Sequence, residues 1–109
     1  MVVCGAITLQ AQTQEPVYEK AGDQVKATFY HDNGAIAQVG HFKDGKLHGD
    51  WVMYNAEGKK IALGQYVDGA RNGKWFFWKG ESLKEVDYSD NRIISVVDWD
   101  NGTEIVVYK

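Results

Sequence analysis

Residues 26–49, KATFYHDNGAIAQVGHFKDGKLHG, and residues 50–73, DWVMYNAEGKKIALGQYVDGARNG, align without a gap. Tyr30 falls on Tyr54, Gly34 on Gly58, Gly40 on Gly64 and Phe42 on Tyr66. Asp44-Gly45 falls on Asp68-Gly69, and Gly49 on Gly73. So many coincidences at one offset mark an internal repeat of 24 residues. A period in this range means that each unit is one supersecondary element that buries its apolar face against its neighbours. A third unit opens at Lys74 with KWFFWKGES, carrying Trp51 on to Trp75 and Tyr54 on to Trp78. It then decays: after a shortening of two residues, Val86 and Tyr88 stand where the Gly-x-aromatic pair stood. A last partial unit, VVDWDNGTEIVVYK, restores a tryptophan, Trp99, and an Asp-Asn-Gly turn.

Each unit reads as two antiparallel strands. Asp32-Asn33-Gly34 and Asp100-Asn101-Gly102 are hairpin signals, because Asn and Gly adopt positive φ at little cost. Ala56-Glu57-Gly58 takes that place in the second unit. The segments 44–49 and 68–73 read as longer connections with a glycine at each bend. Between the turns lie runs rich in Val, Ile, Phe, Tyr and Trp, such as Trp51 to Tyr54 and Arg92 to Trp99. No stretch has a helical period with caps. The expectation is an all-β protein: an antiparallel meander of about eight strands from Val25 to Tyr108, forming an elongated, curved sheet.

Gly40 and Gly64 fall inside strands, with Phe42 and Tyr66 two residues on and therefore on the same face. A bare glycine backbone accepts a ring from the neighbouring strand, and Trp51, Trp75 and Tyr54 are the candidate covers. In residues 74–79, KWFFWK, alternation sends Trp75 and Phe77 one way and Phe76 and Trp78 the other. Rings on both faces exceed what a half-exposed sheet requires. Trp51, Tyr54, Trp75, Phe76, Trp78 and Trp99 are therefore the candidate interaction surface, facing self-packing, a protein partner or a glycan.

Composition narrows the classes. The chain has 109 residues, 44% of them hydrophobic and 25% charged, enough for one folded domain. A net charge of -3 argues against nucleic acid and against anionic membrane surfaces. The one cysteine rules out an internal disulfide and a Cys-rich zinc site. Residues 1–11 read as the remnant of a secretory signal, with an apolar run from Val2 to Leu9 and a cut after Ala11. Residues 12–24 read as a polar linker with at most a short edge strand near Val17, and the repeat domain fills 25–109. The expected location is the periplasm or cell surface, with the cytoplasm as the alternative.

The pattern aromatic-x-Asp-Gly-x-x-x-Gly-x-Trp, present as Phe42 through Trp51 and again as Tyr66 through Trp75 and followed by Tyr54-x-x-x-Gly58, resembles the bacterial variant of the MORN repeat. Many proteins of that kind carry the label "YwqK-type antitoxin". The resemblance covers roughly 25–109. It implies successive β-hairpins in an elongated sheet, and it implies no common catalytic activity.

The residues themselves offer little catalysis. His31, His41 and His48 are replaced in the second unit by Asn55, Gln65 and Asn72, which points to polar surface and not to metal ligation. Asp44 and Asp68 begin turns, where an Asp side chain bonds its own backbone. No phosphate-binding loop or nucleophile elbow is present. The expectation is therefore a non-enzymatic interaction or scaffold module with no cofactor and no metal. Its partner is a protein, with self-association through the hydrophobic C-terminal edge strand as a further expectation. The alternatives are an antitoxin-like protein that neutralises a cognate toxin and a carbohydrate-binding domain.

Overall fold

The computed structural model describes residues 14–100 and 103–108. The expected signal remnant at 1–11 and the first residues of the linker lie outside the described residues. The strands are β1 (Val17–Ala21), β2 (Gln24–Tyr30), β3 (Ile36–Lys43), β4 (Lys46–Leu47), β5 (Gly49–Tyr54), β6 (Lys60–Val67), β7 (Ala70–Lys79), β8 (Ser82–Ser89), β9 (Arg92–Asp100) and β10 (Thr103–Tyr108). They form one antiparallel sheet in the order β10-β9-β8-β7-β6-β5-β3-β2-β1, with β4 folded back on β3. The sheet is an open meander, and the described residues contain no helix. It begins inside the expected linker, since β1 pairs with β2 from Val17↔Thr28 to Ala21↔Gln24.

The sheet measures 59 × 35 × 19 Å with a radius of gyration of 17.4 Å, against ~13 Å for a compact chain of ~100 residues. A flat layer would be far thinner than 19 Å, so this depth records the twist of the strands.

One end of the sheet is lined by three tight turns. Asp44-Gly45, Asp68-Gly69 and Asp90-Asn91 all have positive φ, between 50° and 89°, as two-residue hairpins of the I′ type demand. The connections expected to be long at 44–49 and 68–73 are thus tight turns that lead straight into the next strand. Successive turns are hydrogen-bonded to one another. The Gly69 amide donates to the Leu47 carbonyl at 2.8 Å, and the Asn91 amide to the Arg71 carbonyl at 2.9 Å. The Asp68 amide donates to His48 Nδ1 at 3.3 Å, and the Asp90 amide to Asn72 Oδ1 at 3.4 Å. His48 and Asn72 are repeat equivalents, so one acceptor position is filled once by an imidazole and once by an amide.

The opposite end carries the hairpins after β2 and β5, which repeat the same bonds 24 residues apart. The His31 amide donates to Ala35 and the Asn55 amide to Lys59, each at 2.8 Å. The pairing shifts at Phe29/Tyr30 and again at Met53/Tyr54, the same place in each unit. In the third unit the hairpin contracts to Gly80-Glu81, and that contraction is where the two residues are lost.

The core lies on one face of this single layer. Trp51, Trp75, Val86 and Tyr88 are buried, and Phe29, Phe42, Leu47, Met53, Tyr66, Phe77 and Val96 pack around them. Gly40 and Gly64 explain how one layer buries two tryptophans. The Trp51 ring lies across Gly40 and the Trp75 ring across Gly64, so closely that a Cβ on either glycine would overlap the indole. The exchange also runs in reverse. Where the third unit has Val86 in the glycine place, the following strand brings Val96 opposite it and not a tryptophan. Edge-on contacts join the rings in series: Phe42 to Trp51 at 6.1 Å, Trp51 to Tyr66 at 5.7 Å, Tyr66 to Trp75 at 5.1 Å and Trp75 to Tyr88 at 6.2 Å. Each such pair adds ~0.5–1.5 kcal/mol beyond its buried area.

Candidate interaction face

The six aromatic residues singled out from the sequence divide between the two faces. Trp51 and Trp75, 6% and 3% exposed, belong to the ring series and have no surface to offer a partner. Their indole N–H groups are also used, by Gln38 Oε1 at 2.9 Å and by the Gln65 carbonyl at 3.0 Å. Both therefore leave the expected interaction surface. The physical reason is the glycine opposite each of them, which turns a bulky ring into core.

Phe76, Trp78, Trp99 and Tyr54 follow the strand alternation onto the other face, called here the open face, and all are half-buried. Phe76 and Trp78 are stacked at 6.2 Å with 28° between ring planes. Trp99 falls beside Leu83, which in turn faces Trp78. The 24-residue spacing placed Trp99 in series with Trp51 and Trp75, but the structure puts it on the opposite face. The cause is a register shift between Ile93 and Ser95. One extra residue in a strand inverts the facing of everything beyond it, so Trp99 turns over and joins Trp78.

Registers across the open face align three rows. The middle row runs Val39↔Val52↔Leu63↔Phe76↔Glu85↔Val97. A second row holds Trp78, Leu83 and Trp99. A third, on the other flank, is polar: Lys26↔His41, Asp50↔Gln65 and Lys74↔Asp87. Glu85 is the one charge in the apolar rows, and it is occupied twice. Lys74 Nζ stands 2.9 Å from its Oε2, and the Trp99 indole donates to its Oε1 at 3.3 Å. The hydrogen bond to Glu85 raises the Lys74 ammonium above the ordinary lysine value. Centred on β6 is a shallow open depression of 460 Å³, lined by Asp50, Leu63, Gly64, Gln65, Lys74 and Phe76.

Two of the three histidines serve the fold. His48 joins two turns, and His31 Nε2 donates to the Tyr54 carbonyl at 2.8 Å. Among the described residues no group of three His, Cys, Asp or Glu side chains converges as a metal site would.

Sequence reasoning missed Arg71, Leu63 and Glu85. Arg71 is the repeat equivalent of Leu47. Its guanidinium lies 5.2 Å over the Tyr88 ring and 5.9 Å from that of Trp75, and it donates to the Tyr88 hydroxyl at 3.1 Å. That bond holds its pKa above the ordinary arginine value. The signal was available, because a basic residue in an apolar repeat position between aromatics is a cation–π arrangement. Leu63 could have been found by carrying the alternation of 74–79 across to 60–67. No family model and no curated protein matches the chain.

Proposed function

We propose that this chain is a non-enzymatic, MORN-like repeat module, exported to the periplasm or cell surface, that binds a protein partner through the open face of its sheet. One observation carries the reading. The molecule closes one face with its own rings and leaves a second contiguous set, Phe76, Trp78, Leu83 and Trp99, half-exposed across the other. Contiguous apolar surface rimmed by polar residues is the usual mark of a protein-binding site. His31 and His48 are committed to joining neighbouring hairpins, which supports a binding role. Export is supported by the apolar run ahead of Ala11.

The test uses the protein recovered from its own cells. Its N-terminus is expected near Gln12. Trp78→Ser and Trp99→Ser are expected to leave the far-ultraviolet spectrum intact while abolishing retention of the partner held by the parent chain. A partner retained equally by both variants, or an uncleaved cytoplasmic protein, would overturn the corresponding half of the proposal.

A further inference from the structure

The depression on the open face is centred on β6 and carries opposite charges on its two rims. Asp50 on β5 forms one rim and Lys74 on β7 the other, with Leu63 and Gln65 of β6 between them. A half-turn about β6 exchanges the rims, so Asp50 of one molecule comes over Lys74 of another, and Lys74 over Asp50. The same operation brings His41 over Asp87, one strand further out on each side. In the apolar row it sets Val52 against Phe76 and Leu63 against Leu63. A surface that meets its own complement under a twofold rotation is what an isologous contact requires.

Resting on the interaction-module reading above, we propose that the partner of the open face is a second copy of this chain. The two sheets would pack face to face about a twofold axis lying between them and running nearly along β6. Aligned sheets pack ~10 Å apart with their strands rotated by ~30°, which an axis inclined slightly to β6 provides. The rows over the five strands that this axis relates, β3 and β5 to β8, span roughly 24 by 20 Å, about 480 Å² per copy and about 1,000 Å² in total, the lower limit of specific interfaces. The dimer is therefore expected to form in the micromolar range.

Sedimentation equilibrium on the full chain, over a wide concentration range, is the test. The parent chain is expected to dimerise, and Leu63→Arg, which sets two cations together on the axis, to weaken it at least tenfold. Asp50→Lys and Lys74→Asp each create like-charge pairs across the axis and are expected to be monomeric. Mixed in equal amounts they are expected to associate again, since Lys at 50 then meets Asp at 74 and Lys74 meets Asp50. Circular dichroism confirms folding of each variant, and Asp50 is exposed, so its replacement leaves the fold unchanged.

A monomeric parent chain overturns the proposal. So does a dimer indifferent to Leu63→Arg, which would place association at a sheet edge such as β10, and so does a mixture no tighter than its components. If self-association fails while Trp78→Ser still releases a different bound protein, the second-copy inference falls and the interaction-module reading stands.

Discussion

Gly64→Ala is the sharpest probe of the ring series. In an ordinary strand the change gains up to ~1 kcal/mol, because Gly is a poor strand residue. Here the new Cβ would sit inside 3.0 Å of Trp75 Cδ2, Cε2 and Cε3, so the indole has to leave. It would abandon edge contacts with Tyr66 at 5.1 Å and Tyr88 at 6.2 Å and the stack with Phe77 at 6.0 Å. It would also lose the bond to the Gln65 carbonyl at 3.0 Å. Three ring pairs at ~0.5–1.5 kcal/mol each and one hydrogen bond at ~1 kcal/mol set a ceiling of ~5.5 kcal/mol. Partial relief of overpacking brings typical losses to ~1–3 kcal/mol, and the expected net destabilisation is ~2–4 kcal/mol.

Equilibrium urea unfolding followed by circular dichroism reads this directly, in a cycle with Trp75→Ala. That second change alone should cost ~3–5 kcal/mol. With the indole gone, Gly64→Ala should become neutral or slightly favourable, giving a coupling of at least ~2 kcal/mol. If the two changes add to within ~0.5 kcal/mol, as independent sites do, the account of Gly64 as a seat for Trp75 is refuted.

Three further outcomes are expected. His48→Asn should be near neutral because Asn72 already fills the equivalent acceptor position, whereas His48→Ala should cost ~1 kcal/mol; equal melting temperatures for the two variants would remove the staple from the account. Arg71→Leu should retain most of the stability, since Leu47 packs in the equivalent place, while Arg71→Ala should lose measurably more; equal losses in both variants in urea unfolding would show that the charge outweighs the packing. Lys74 has a raised pKa in the folded state, so its contribution is complete below the ordinary lysine range and vanishes as pH climbs through the folded value. The melting temperatures of the parent chain and Lys74→Met should therefore converge as pH climbs past the ordinary lysine range in calorimetry, and a gap that stays constant there would show that the ion pair with Glu85 contributes nothing.

The architecture was legible because the repeat is local and regular. Gly40, Gly64, Trp51 and Trp75 declare their relation by alternation within a strand and by the offset of 24 residues between units. The tightness of the turns was underestimated because Asp44 and Asp68, which are not glycines, accept positive φ. The interaction face was only half legible. Phe76 and Trp78 followed from alternation, but Trp99 depended on one extra residue near Ile94, and a bulge leaves no mark in composition or period. The role of Trp51 and Trp75 as core and not surface turned on each indole leaning over the glycine of the adjacent strand, a cover that alternation offered beside the surface reading without deciding between them.

That lean gives the sheet a grammar. Trp51 and Trp75 each close backward onto the glycine of the strand before, and each of the first two units offers a bare glycine forward to the next. Val86 and Val96 act as the full stop, ending the sentence with neither a hole to fill nor a ring to place. Removing residues 50–73 would join Gly49 to Lys74 and bring Trp75 over Gly40, the same clause with one phrase deleted. Duplicating that segment would insert one. The length of this protein is therefore a quantity that can change in whole words without rewriting any of them.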